Sequence, residues 1–401
     1  YSGKLWRAVS INNEAKTTKL VTQWNISAIS YNSENNTAFE GSYMEDWLND
    51  ESVDGFLGNL REPEKFIETN AKWDVTADAT ALGSIQKPNG TAIVEDAVGL
   101  LNMYEYQSSN NGGTDGYLNN GLTWYTLTPD STSNVRYVGY SGNDYNFIPS
   151  AAAGVRPSIN LKSSVKIVDG DGTIDNPYRL NGDNEKDLSG TMLSTRYSGE
   201  YIRFGTGENN LYRIVSHENG TGTKITSTEP LKSGGTFITS YFGSNTTFSS
   251  TNTIGTFLNN DYLNTGNGYL TSEDIVMIED ETTWYLGFVK DGASYKLAKY
   301  TNAKDNILTS KTTIAKVGLL RYGELMSGQF DRYGNNTTYW ILTPDSASFV
   351  RYVDNDGASL SGAPTGAYRY GVSPSLNLKS NVQITGGDGT KNNPFTIALS
   401  D

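Results

Sequence analysis

Cysteine is absent from this 401-residue sequence, so it can form neither a disulfide framework nor a thiolate metal site. Histidine occurs once, at His217. A single Ser-His-Asp triad would have to use that residue. Basic charge is in deficit: 31 Lys and Arg stand against 44 Asp and Glu, a formal charge of −13. Nucleic-acid binding draws affinity from cations that neutralise phosphates, so this balance disfavours nucleic acid, and anionic membrane surfaces with it. No apolar run is long enough to cross a bilayer as a helix, so no membrane insertion is expected of this segment. The sequence opens on YSGKLWRAV, without Met or a secretory leader, and reads as a strand of a mature or trimmed product.

Glycine, Ser, Thr, Asn and Tyr are abundant instead, a mixture that favours short strands joined by polar turns. With 26 Tyr, 13 Phe and 7 Trp there is ample apolar surface for a core, so disorder is not expected.

The sequence is internally repeated. WYTLTPDSTSNVRYV at 124–138 returns as YWILTPDSASFVRYV at 339–353, identical at ten of fifteen positions. LWRAVS at 5–10 matches LYRIVS at 211–216, TKL at 18–20 matches TKI at 223–225, and MEDWLND at 44–50 matches IGTFLNN at 254–260. VGLLNMYEY at 98–106 matches VGLLRYGEL at 317–325, and VRPSINLKSSVKIVDGDGTIDNPYRL at 155–180 matches VSPSLNLKSNVQITGGDGTKNNPFTI at 372–397. The order is colinear and the offset stays between 205 and 219. This pattern predicts two domains of one fold, 1–181 and 199–401, joined by a linker over 182–198, with the polar, turn-rich NGDNEKDLSG at 181–190 as the hinge.

Each repeat reads as mostly β. LWRAVSI with KLVTQW, and LYRIVS with KITS, alternate like hairpins. Ser42 is placed to cap a short helix whose Met44, Trp47 and Leu48 share one face, and Ile254, Phe257 and Leu258 repeat that face. Short helices early and strands late predict a β-rich α+β domain.

The run VGLL-x-x-x-E, an aromatic strand ending in LTPDS, then VRYV and GVRPSINL resembles a domain family of exported Gram-positive bacterial proteins. The resemblance implies a C-type-lectin-like fold of the formylglycine-generating-enzyme type, present twice, and YSGKLWRAV is similar to the start of some pilin-like heads. Arg156 is the residue usual in that family; the second repeat departs from it at Ser373. Formylglycine-generating chemistry needs reactive cysteines, so that activity does not follow from the fold.

Candidate chemistry is sparse. His217, in HENGTGT, reads as an exposed loop residue. Glu45 and Asp46 could serve as a hydrolytic carboxylate pair, yet the second repeat has Gly255 and Thr256 there, so they read as solvated helix positions. DGDGTID at 169–175 resembles a calcium loop, but the second repeat keeps only Asp388 in place of Asp171, and glycines in a hairpin turn explain the pattern. No metal, cofactor or catalytic residue is assigned. Arg136 and Arg351, each in VRYV, are expected to pair with a carboxylate, stack on an aromatic or meet a ligand. The segments after VRYV, 139–154 and 354–371, share almost nothing between repeats while the flanking strands match. Divergent loops on a fixed scaffold are the usual setting of a binding surface. Tyr140, Asp144, Tyr145, Tyr368, Arg369 and Tyr370 carry the aromatic and polar character that suits sugars or proteins, and with Arg136, Arg156 and Arg351 they are the candidate ligand contacts.

The expected protein is therefore extracellular or cell-surface, non-catalytic, and engaged in adhesion or in recognition of a glycan or protein ligand, with two sites raising effective affinity. The alternative is a structural subunit or head of a surface filament that self-assembles, with a hydrolase as a third class.

Overall fold

In the computed structural model, the LWRAV and TKLVT segments form the hairpin Trp6–Asn12 with Thr17–Thr22, and a bulge between Ala8 and Ser10 twists it. The strand Ser158–Lys162 pairs along the second hairpin strand, from Ser158 opposite Val21 to Lys162 opposite Thr17, and the short strand Val98–Gly99 closes a four-stranded sheet. A second sheet runs in the order Ser27–Ser30, Ala152–Val155, Trp124–Pro129, Val135–Val138 and Asp144–Phe147. The structure describes residues 1–400 apart from 34, 53–54, 85, 110–113, 184–186, 218–221, 287–311, 322–323, 326–337 and 354–359.

The chain divides into two compact units, one ending at Asp183 and one beginning at residue 184. The second unit uses the same strand order. Leu211–Ser216, Gly222–Ser227, Ser375–Lys379 and Val317–Gly318 lie side by side, with Tyr201–Arg203 added at the outer edge. Its other sheet runs Thr239–Ser240, Tyr370–Gly371, Tyr339–Pro344, Phe349–Val353 and Leu360–Pro364. The molecule is strand-rich with short helices.

Local chemistry explains the helices. Ser42 accepts a hydrogen bond from the Glu45 N–H and starts the helix Tyr43–Leu48, whose Met44, Trp47 and Leu48 are buried. Asn102 and Glu105 form a reciprocal capping box on Met103–Ser108. In the second unit Asn252 caps Thr253–Thr256, and the chain then widens into a π-helical turn, Phe257–Asp261. That widening leaves Phe257 only half-buried, so it is not the full equivalent of Trp47.

The DGDGT turn of the first unit and the GGDGT turn of the second share one geometry. Gly170 and Gly387 take φ of 86° and 80°, and a Cβ at either would lie 2.2 Å from the carbonyl oxygen of Pro177 or Pro394. Asp171 Oδ1 accepts from the Thr173 N–H and hydroxyl at 3.0 and 2.7 Å, and Asp388 Oδ1 does the same with Thr390 at 3.1 and 2.7 Å. Within the stretch read as linker, Leu188 and Leu193 are buried in the second unit's core, and the Gly190 N–H donates to the Ile384 carbonyl. Apolar burial there makes 188–193 part of a domain and not a spacer.

Candidate functional site

The strand Val135–Val138 separates the two faces of its sheet. Arg136 points inward and is fully buried. Its Nη1 donates to Asp144 Oδ2 at 2.9 Å, its Nη2 lies 3.2 Å from Asp130 Oδ1, and its Nε donates to the Asp78 carbonyl at 3.0 Å. Asp144 is also buried, and its two carboxylate oxygens accept from the Gly83 N–H at 2.7 and 2.8 Å. Arg351 is buried against Asp345 at 2.8 Å. Arg156 is buried as well. These four residues, expected as ligand contacts, are withdrawn from the surface because ion pairs, carbonyls and aromatic faces hold them inside.

The opposite face carries a row of aromatic rings that runs from core to rim. Phe39 meets Tyr31 at 6.3 Å and Tyr31 meets Tyr125 at 5.4 Å. Tyr125 stands opposite Tyr137 in the strand register, and Tyr137 stacks on Tyr145 at 5.5 Å with 25° between the planes. Phe147 packs on the same Tyr137 at 5.6 Å. Exposure rises along the row, from 0% at Tyr31 and Tyr125 to 39% at Tyr145 and 40% at Phe147. Tyr140 at the hairpin tip is 77% exposed. Gly139 makes the ledge possible, because a Cβ there would lie 2.7 Å from the Tyr145 ring.

Segment 139–154, expected as a loop, thus contains the edge strand Asp144–Phe147, whose alternation sends Asp144 inward and Tyr145 outward. In the second unit the row is built from Trp340, Tyr352, Tyr370 and Tyr368. Tyr370 lies 4.7 Å from Trp340 and 4.6 Å from Tyr352, and Tyr368 stacks on Tyr370 at 5.8 Å and 10°. Tyr368 is exposed and Tyr370 half-buried. Arg369 is exposed, covers the Tyr241 ring at 5.3 Å and donates to the Thr239 carbonyl. Of segment 354–371, residues 354–359 lie outside the described residues, and Leu360–Pro364 is a strand.

The expected exposure of His217 is corrected. Burial holds its imidazole below the usual range, Nε2 meets the Arg196 carbonyl at 2.5 Å and Nδ1 the Thr223 hydroxyl at 3.0 Å. A carbonyl and a threonine occupy both nitrogens, the positions a triad would need free for a nucleophile and a carboxylate. Glu45 is likewise half-buried and accepts from the Gly41 N–H at 2.9 Å, while Asp46 is exposed. The cleft among Thr76, Asp78, Lys87 and Tyr104 has a volume of about 50 Å³, room for water and not for a sugar ring.

Sequence reasoning missed Asp96, whose Oδ2 is buried with no hydrogen-bond partner. Burial, then Glu45 and Glu40, push its carboxyl up to about 7 from 3.8. The folded chain therefore holds a proton that the unfolded chain releases near about pH 4. Stability owed to this group is fully present below about pH 4 and is lost as pH rises through about 7. Solvent screens part of the effect, because the residue is half-exposed. Asp96→Ala installs the residue found at the equivalent Ala315. It is expected to raise the melting temperature by a few degrees at about pH 8 and to give no gain at about pH 4. A variant that melts with the wild type at the higher pH would show that the carboxyl is not raised.

Comparison of the chain with protein-family models, curated proteins and solved structures gave no match.

Proposed function

We propose that this protein is a non-catalytic, extracellular recognition protein with two C-type-lectin-like domains, each presenting an aromatic ledge to a saccharide. One observation carries the reading. The segments that diverge between repeats each place an exposed tyrosine on a partly buried one at a sheet rim, Tyr145 on Tyr137 of the VRYV strand and Tyr368 on Tyr370. A pyranose presents a C–H face that suits an aromatic plane, and its hydroxyls suit polar groups at the rim. Arg369 is such a group beside the second ledge. The net charge of −13 favours neutral or basic sugars over anionic ones.

Tyr145→Ala and the pair Tyr368→Ala, Tyr370→Ala are expected to weaken glycan binding about tenfold each, with the melting temperature nearly unchanged for the exposed Tyr145. A glycan array with the intact chain, followed by sedimentation of the same sample, tests this. Binding by a monomer that fades in the variants supports recognition. Polymers without glycan binding, altered by the same substitutions, support the filament subunit instead. Retention of a protein ligand with no sugar on the array moves the ledges to protein recognition.

A further inference from the structure

Buried arginines at several places in the chain face a carboxylate. Arg136 meets Asp144 at 2.9 Å, Arg196 meets Glu200 at 2.5 Å and Arg351 meets Asp345 at 2.8 Å. Arg156 has no such partner among the described residues. Its Nε donates to the Thr22 carbonyl at 2.7 Å and its Nη1 to the Leu118 carbonyl at 2.5 Å, and the guanidinium lies 5.0 Å from the Trp124 ring centroid. Two carbonyls and an aromatic face solvate the charge without neutralising it. Burial pulls its pKa down to about 9; Tyr106 opposes the shift, and Arg7, a second cation, adds to it. A fully buried guanidinium beside another cation, in a chain of charge −13, is an electrostatic anomaly.

Three buried polar atoms of this neighbourhood are unpaired: Arg156 Nη2, Trp124 Nε1 and Thr22 Oγ1. The second repeat carries hydroxyls at both of the equivalent places. Thr22 and Ser227 hold equivalent places, since their N–H groups donate to the carbonyls of Pro157 and Pro374 at 3.0 and 3.1 Å. Ser373 stands where Arg156 does, and the Ser227 and Ser373 hydroxyls bond each other at 2.9 Å. The smaller residue thus closes the place on itself in the second unit. In the first, the Thr22 hydroxyl has no serine to meet it and no hydrogen-bond partner.

We propose that Arg156 Nη2, the Trp124 indole N–H and the Thr22 hydroxyl hold a small monovalent anion of the halide class inside the first unit. Arginine and indole offer donors only, and a threonine hydroxyl can donate a third bond. A halide accepts all of them and offsets the guanidinium charge; a water would bring two protons of its own and leave the charge as it was.

The test uses the intact chain. Melting in sodium chloride is compared with melting in sodium gluconate at equal ionic strength, since gluconate is too large for an enclosed site. The first unit is expected to melt about 2–4 °C higher in chloride, with the second unit as the internal reference. Arg156→Gln abolishes the difference and Trp124→Phe reduces it. Crystals grown in bromide should show an anomalous peak within hydrogen-bond distance of Arg156 Nη2. This readout needs no variant, so it stands even where Arg156→Gln fails to fold. A bromide peak there supports the site; a water, or no density, overturns it whatever the melts show.

Discussion

Truncation of Trp47 to alanine is expected to destabilise the first unit by about 3–5 kcal/mol in urea unfolding. The indole is fully buried and packs on Phe56 at 5.8 Å, and its carbonyl receives the Phe56 N–H at 2.9 Å. Removing it opens a cavity under the helix Tyr43–Leu48, which has too few turns to persist by itself. Trp47→Phe separates size from polarity. The indole N–H is buried and has no acceptor, so losing it costs nothing in hydrogen bonding. Phenylalanine is also what the second repeat carries at Phe257, so this variant should lose much less than the alanine variant. Losses within about 0.5 kcal/mol for Trp47→Ala would show that the helix face does not contribute to the core.

A comparable loss, about 3–5 kcal/mol, is expected for Arg136→Met. That substitution keeps much of the side-chain volume and removes the cation that Asp144 and Asp130 face at 2.9 and 3.2 Å. Asp144 would remain buried, with the Gly83 N–H as its donor among the described residues. Arg136→Met with Asp144→Asn should therefore cost less than the sum of the two single changes, because the second substitution removes the stranded charge. Strict additivity in such a cycle would count against the pair as a coupled unit. Tyr145 lies on the opposite face of the sheet, and its substitution should leave this energy intact. The cycle and the binding experiment thus report on two independent faces.

Features set by neighbouring residues were legible in the sequence. Ser42 with Met44, Trp47 and Leu48 specified a capped helix, since a cap and an i, i+3, i+4 face need no distant information. The two hairpins followed from alternation and the repeat. What failed depended on which side of a strand a polar residue faces. The sequence places Asp144 beside Tyr145 as a ligand contact, although adjacent residues of a strand point to opposite faces. The pairing of strand 144–147 with VRYV sends Asp144 toward Arg136 and Tyr145 toward Tyr137. Glycine, serine and asparagine around it concealed the strand. Leu188 and Leu193 were hidden among polar neighbours in the same way. The repulsion between Asp96 and Glu45 acts between residues far apart in the chain, and nothing in either local pattern announces it.

The strand Ser158–Lys162 inserts between Thr17–Thr22 and Val98–Gly99, so the first unit's central sheet is completed by one of its last segments. The second unit repeats the arrangement, with Ser375–Lys379 between Gly222–Ser227 and Val317–Gly318. Contacts of such long sequence separation make folding slow compared with helical domains of similar size, because the loop between the partners must close before the sheet gains from it. During synthesis the N-terminal hairpin stays an open template until its late partner emerges. Each repeat then commits as a whole, and the first can do so before the second is made.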